Sequence, residues 1–287
     1  MKAYHQGQLD FCCAIYAFIN ALKLVAGLGL ADGRRILGET LREISARPAL
    51  WEPFLSNNTD HYWVVRYLLG RYCRTGRFAC RAAFLPVAPL DGPGRSELRQ
   101  QRAHGERGEG ENGSLKLYGV TDHELRVWLG LRTPEELDLD RLERDALYRR
   151  ESGEAGQAGQ SGRMQPSERE RNWPLEELWP LLQSWLPLRR LFGGLTSLGS
   201  PAGEGQQKRC LLLRFHRYMY LETVPVVSHW STGREFAGDV LHLFDCTADK
   251  EAIHSLSYRE TVASPTQLSA ARLLQLEPDS LVFIEKT

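Results

Sequence analysis

The chain has 287 residues, of which 36 are basic and 36 are acidic, so its formal net charge is zero at pH 7. This balance creates no overall field that would favour nucleic acid or a membrane surface, and neither is expected as a partner. Charged residues make up 25% and hydrophobic residues 42% of the chain, which is typical of a soluble globular protein.

The cysteines and the first residues bear on cofactors and compartment. No two of the six cysteines are spaced as Cys-x-x-Cys, so a zinc site is not expected. No phosphate-binding glycine loop or EF-hand pattern is present, and we expect neither a nucleotide nor a metal cofactor. No basic region followed by an apolar run and a cleavage site opens the chain. This predicts a reduced, cytoplasmic protein and leaves signal-independent secretion open.

Residues 6–22 combine a polar lead-in with an apolar helical pattern. Apolar side chains recur at helical spacing at Phe11, Ile15, Phe18, Ile19 and Leu22. Cys12 and Cys13 are therefore predicted at the first turn of a buried helix, where the positive end of the helix lowers the pKa of a thiol. A glutamine shortly before it, such as Gln6, can donate an amide N–H to a developing oxyanion.

The middle of the chain alternates between helical patterns and polar segments. Amphipathic spacing predicts helices at about 31–46, 60–75, 122–130 and 134–150. Pro48 is expected to stop the first of these, and residues 78–86 are a short strand candidate. Polar, glycine-containing segments predict flexible inserts at about 88–114, 151–171 and 196–208.

A segment rich in tryptophan and leucine follows at residues 172–194. Pro180 and Pro187 are expected to kink or segment its helical pattern. Its aromatic side chains are predicted to lie in the core.

The C-terminal part of the chain has the pattern of an antiparallel meander. Short hydrophobic runs bounded by turn residues predict strands at 210–216, 225–231, 240–245, 253–258 and 280–285. Helices first and strands afterwards indicate an α+β fold, with a helical layer packed on a C-terminal antiparallel sheet. The prediction is one domain over residues 1–287, in which the inserts decorate a single core.

Two of the predicted strands carry His229 and Asp245, separated by a predicted turn at 232–238. Adjacent antiparallel strands bring such residues side by side. A nucleophilic thiol needs a base for its proton, and a carboxylate can hold that base in the correct tautomer. We therefore predict His229 as the base and Asp245 as its partner. A second histidine, His61, is the alternative candidate for the base. Because it lies in a helical pattern and no strand that ends in aspartate follows it, Asp60 and His61 are expected instead to cap that helix.

Residues 6–22, His229-Trp230 and the run ending at Asp245 resemble the papain-like cysteine peptidases, most closely the small bacterial, double-glycine-peptidase-like members. The resemblance implies a papain-like fold with Cys13 as nucleophile, His229 and Asp245 as its partners, and Gln6 as oxyanion donor. Matching the text around the cysteines favours Cys13, whereas the spacing from Gln6 favours Cys12, and Gln8 is a second candidate donor. The sequence departs from the family's pattern at Ala14, where glycine is usual.

This resemblance implies a cysteine hydrolase that acts on a peptide or isopeptide bond through an acyl-enzyme thioester. Its expected partner is a protein or peptide substrate, and the inserts could dock a further protein. Glutamine deamidation or transglutamination by the same machinery, or a non-catalytic binding protein on the same fold, are the alternatives. A redox protein that uses Cys12 and Cys13 is a weaker hypothesis, because a disulfide between adjacent cysteines is strained.

Overall fold

The computed structural model describes residues 12–55, 61–73, 78, 80–85, 137–151, 173–188, 207–219, 224–245 and 253–287. Gln6, Gln8 and the predicted helix at 122–130 lie outside the described residues. So do nearly all residues of the three predicted inserts.

The first helix, α1, runs over Cys13–Ala26 as the apolar pattern predicts. Of its 14 residues only Tyr16, Lys23 and Ala26 are not buried, so the helix is enclosed on most sides. It ends at Gly27, which has φ 69° and whose N–H donates to the carbonyl of Lys23. Glycine accepts this left-handed conformation without a Cβ clash, which explains where the helix stops.

Five further helices follow α1 within the described ranges, and their order agrees with the prediction in outline. They are α2 (Leu30–Ser45), α3 (Pro48–Leu55), α4 (Tyr62–Tyr72), α5 (Leu139–Glu151) and α6 (Leu175–Trp185). The sequence did not predict α3: Pro48 follows the end of α2, but it is also the first residue of α3. Proline is well tolerated there because the first N–H of a helix has no intrahelical acceptor.

The prediction that proline segments the helical pattern at 172–194 was wrong for Pro180, which lies inside α6 without dividing it. The helix ends before Pro187, since Leu186 is extended (φ −95°, ψ 153°), the conformation that a following proline favours. Trp173, Trp179 and Trp185 are buried, as predicted.

The part of the chain that the structure describes contributes eight strands to one sheet. They are β1 (Cys80–Phe84), β2 (Arg209–Arg217), β3 (Val227–Ala237), β4 (Val240–Leu243), β5 (Ser255–Ser257), β6 (Thr261–Val262), β7 (Leu274–Leu276) and β8 (Val282–Lys286). The main path is β1-β8-β2-β3-β4-β5, antiparallel throughout, while β7 pairs with β2 and with β6. Helices and a largely antiparallel sheet together make the fold α+β.

Two details of the sheet differ from the prediction. Most of the predicted turn at 232–238 continues β3, and the chain reverses only at Gly238 and Asp239. Gly238 has φ 57°, which places the reversal at the residue without a side chain. The short strands β6 and β7 were not predicted, because two or three residues are too few to show an alternating pattern.

Helices cover both faces of the sheet. Cys210, Leu212 and Trp230 belong to the core shared with α1 and α4. Leu211 and Leu213 belong to the core shared with α6. This double burial explains why β2 is continuously hydrophobic at 210–213 instead of alternating. Among the described residues, no helix combines the length and the apolar character needed to cross a bilayer.

Candidate active site

Along β3, Trp230 and Thr232 contact helices, whereas the alternate residues His229 and Ser231 belong to the site. Thr232 is fully buried, and its hydroxyl donates to the carbonyl of Ala17 in α1 over 2.7 Å. The ring of Trp230 packs edge-on against Tyr62 of α4, with centroids 5.4 Å apart. The first contact fixes α1 and the second fixes α4 against β3, the strand on which His229 immediately precedes Trp230.

His229 is held by a buried carboxylate. Its Nε2 lies 2.9 Å from Oδ1 of Asp245, and the Ser231 hydroxyl donates to the other carboxylate oxygen, Oδ2, over 3.0 Å. The Phe244 N–H donates to the carbonyl of Thr232, which keeps the chain beside β3 after β4 has ended. Because an ionised carboxylate only accepts hydrogen bonds, Nε2 carries a hydrogen and Nδ1 is the nitrogen left to exchange a proton with a reactant.

Cys13 is the first residue of α1, and its thiol hydrogen-bonds to His229 and also to His61. Burial raises the pKa of this thiol, but the hydrogen bonds and charges of the two imidazoles outweigh that effect and lower the pKa to about 5. At neutral pH Cys13 is therefore a thiolate, the form of cysteine that acts as a nucleophile.

The pKa values of two other buried cysteines, Cys73 and Cys210, shift in the opposite direction. A hydrogen bond with Cys80 and burial raise the pKa of Cys73 well above its ordinary value. Burial raises the pKa of Cys210, and the neighbouring Cys80 adds to the effect. Burial alone therefore does not activate a cysteine in this fold, and the two histidines account for the difference at Cys13.

The expectation that His61 caps a helix was right about its position and wrong about its side chain. His61 is the N-cap residue of α4, but its side chain makes no capping hydrogen bond. Its Nε2 lies 3.0 Å from the carbonyl oxygen of Phe54, and the ring reaches Cys13. The sequence signal was the text His61-Tyr62-Trp63, which also resembles a peptidase histidine segment but is followed by a helical pattern.

The alternative nucleophile, Cys12, is the N-cap residue of α1, and its carbonyl accepts the Tyr16 N–H over 3.0 Å. The N–H groups of the first turn, including that of Cys13, precede this first intrahelical bond and point toward the start of the helix. They are the oxyanion donors that the described residues offer. No cluster of three or more potential metal ligands is found within the described ranges.

No family model, curated protein or solved structure matches this chain. The arrangement unites a thiol of lowered pKa at a helix N-terminus, an imidazole that interacts with it, and a buried carboxylate on Nε2 of that imidazole. A nucleophile, a base and an orienting group in this order constitute the machinery of acyl transfer.

Proposed function

We propose that the protein is a cysteine hydrolase in which Cys13, His229 and Asp245 form a catalytic triad. The observation that carries the proposal is the thiol of Cys13, whose pKa is lowered to about 5 beside an imidazole that a buried carboxylate holds. Groups that shift a pKa this far in a buried site are concentrated at functional sites. A buried thiol without such histidines would be inert and protonated, as the raised pKa values of Cys73 and Cys210 indicate.

In the proposed acylation step, Sγ of Cys13 attacks the carbonyl carbon of the substrate. The negative charge moves to the carbonyl oxygen, where the Cys13 N–H and Gln6 are the proposed donors. The imidazolium of His229 then gives its Nδ1 proton to the leaving amine, the carbon–nitrogen bond breaks, and a thioester remains on Cys13. Asp245 keeps the imidazole oriented and stabilises its positive charge.

Deacylation runs through the same groups in reverse. Neutral His229 takes a proton from water as the water oxygen attacks the thioester carbon. The carbon–sulfur bond breaks, releasing a carboxylic acid and restoring the thiolate and imidazolium. One histidine thus serves as acid in the first step and as base in the second.

The arrangement of elements also supports a papain-like fold within the α+β class. The proposed nucleophile begins a buried N-terminal helix, and the proposed base and acid lie on or beside antiparallel strands later in the chain. The proposed substrate bond is a peptide or isopeptide bond. Attack on a glutamine side chain would give deamidation, or transglutamination where an amine replaces water.

The first experiment uses p-nitrophenyl acetate as a minimal acyl donor. The thiolate should expel p-nitrophenolate and form an acetyl thioester on Cys13, seen by mass spectrometry after an acid quench. Cys13→Ala should abolish both signals, and Cys12→Ala, which removes the adjacent buried thiol, should retain them. In His229→Ala, slow deacylation should let the acetyl group accumulate. Absence of an acetyl group on Cys13 in the wild type, or its transfer to Cys12, would refute the proposed nucleophile.

The second experiment identifies the reaction by its products. A peptide library treated with the wild type should yield new termini for a peptidase. Glutamate at former glutamine positions would instead indicate a deamidase, and incorporation of an added primary amine a transglutaminase. If Cys13 is acetylated by the ester but no library peptide changes, the peptide substrate class is wrong while the nucleophile stands.

A further inference from the structure

The thiol of Cys13 lies between two histidines, of which the triad uses one. His61 comes from the segment before α4 and His229 from β3, so the two rings reach the thiol from different elements. His61 is buried (5% exposed) and is the only non-glycine residue among those described that has a positive φ. A histidine held in this sparsely populated conformation needs a specific reason.

The partner of the second nitrogen fixes the orientation of the His61 ring. The carbonyl of Phe54 can only accept a hydrogen bond, so Nε2 of His61, 3.0 Å away, carries a hydrogen. Nδ1 is then the nitrogen available to Cys13. In a neutral imidazole this Nδ1 is an acceptor and can take the thiol proton.

Phe54 fixes the His61 ring through both its carbonyl and its aromatic ring. It lies in the last turn of α3, where carbonyl groups lack intrahelical partners and the helix carries partial negative charge. The Phe54 ring also packs against the imidazole, with centroids 5.1 Å apart and the ring planes tilted by 42°. His61 thus connects the negative end of α3 with the positive end of α1, where the thiolate lies.

We infer that His61 is a second proton site for Cys13, a positioning residue that keeps the thiolate formed when His229 does not hold the proton. This inference rests on the proposed nucleophile. The step is a proton transfer: the S–H bond breaks, an N–H bond forms at Nδ1 of either histidine, and the total charge is unchanged. The carboxylate of Asp245 favours the proton on His229, and His61 receives it when His229 is neutral or absent.

The titratable groups that adjoin Cys13, His61 and His229 must stay intact in the test. They include Cys12 and Tyr16 beside the start of α1, Tyr62 at the start of α4, and Asp245 behind His229. The variant is His61→Asn, because asparagine tolerates the left-handed backbone but takes up no proton. His216→Asn is the matched control, since His216 is also buried and its ring nitrogens contact Ser228 and Glu277.

The measurement is the rate of iodoacetamide labelling of Cys13 against pH, mapped by mass spectrometry, which needs no substrate. The wild-type midpoint should lie at about pH 5, the pKa that the two imidazoles give Cys13. With His61→Asn it should rise by about two pH units, which lowers labelling at pH 6 about tenfold and leaves the plateau at high pH unchanged. His216→Asn should behave as the wild type.

The decisive comparison removes His229. The labelling midpoint for His229→Ala should stay below that of an ordinary thiol. The midpoint for the double variant His61→Asn/His229→Ala should lie above that of an ordinary thiol. Equal midpoints for these two proteins, or no change with His61→Asn alone, would overturn the inference. If His61→Asn does not fold, His61→Gln is measured in its place with the same expectations. Ester turnover, followed separately, shows whether the hydrolase proposal fails while this one holds.

Discussion

Replacing Asp245 by asparagine should raise the pKa of Cys13 by about one unit without disrupting the fold. The amide oxygen can still accept from Nε2 of His229. The Ser231 hydroxyl, which now donates to Oδ2, can rotate to accept from the new amide group. What is lost is the negative charge behind the imidazole, at 2.9 Å and with the carboxylate side chain 2% exposed.

The magnitude follows from the kind of hydrogen bond that is lost. A hydrogen bond to a charged group is about twice as strong as a neutral one, so the imidazolium loses about 1 to 1.5 kcal/mol. Since one pKa unit corresponds to about 1.4 kcal/mol, the pKa of Cys13 should move from about 5 to about 6. The thiolate is the reactive form, so labelling is lost as the pH falls through this value and is retained above it.

Labelling of Cys13 by iodoacetamide, followed across pH by mass spectrometry, measures the shift directly. Asp239→Asn is the control, because Asp239 is an exposed aspartate at the turn after β3. An unchanged midpoint in Asp245→Asn would refute the view that the carboxylate stabilises the imidazolium. A midpoint as high as that of His229→Ala would show instead that the substitution displaces His229.

Three changes elsewhere test how the site is supported. Thr232→Val removes the donor to Ala17 and should lower the free energy of unfolding in urea by about 1 kcal/mol, while Thr232→Ser should lose clearly less. An equal loss in both variants would refute the hydrogen-bond explanation. Trp185→Phe removes the indole N–H that donates to the buried carbonyl of Cys210 and should cost about 2 to 4 kcal/mol in the same assay; a loss below about 0.5 kcal/mol would contradict its structural role. Gly238→Ala should cost about 1 kcal/mol because of its φ of 57°. Nothing lies within 4 Å of an added Cβ, so an alanine variant as stable as the wild type would contradict the strain argument.

The fold class and the contact between the predicted triad residues could be inferred from the sequence because each depends on local patterns. The apolar period of α1 places Cys13 at a helix start, and the hydrophobic runs of β2 to β4 are long enough to be recognised. The order of the strands could not be inferred, since β8 lies between β1 and β2 and pairs with residues far from it in sequence. Lys286 pairs with Cys80 of β1 across 206 positions (286 − 80), and Glu285 pairs with Arg209 of β2 across 76 positions (285 − 209). The pairing of distant segments leaves no periodic signal in either one.

His61 shows why one part of the site was assigned a different role. Its neighbours predict a helix, and a residue that begins a helix usually serves as its cap. The left-handed backbone turns the side chain to Phe54 and Cys13 instead. The contact with Cys13, which lies 48 positions away (61 − 13), is not local in sequence. Helix propensity therefore predicted α4 correctly and gave the wrong role to the side chain of its N-cap residue, His61.

The distance along the chain between Cys13 and His229 also sets the time at which the thiol is fully activated. At about 5 to 20 residues per second, a ribosome needs roughly 10 to 40 seconds to make the 216 residues between Cys13 and His229 (229 − 13). Throughout that interval the nascent chain lacks both His229 and the completed sheet on which α1 packs. Cys13 should therefore reach its full acidity only after β3 has been made and has joined the sheet. Labelling of ribosome-bound chains that stop before residue 227 would test this, and a Cys13 that reacts at about pH 6 as fast as in the folded protein would contradict it.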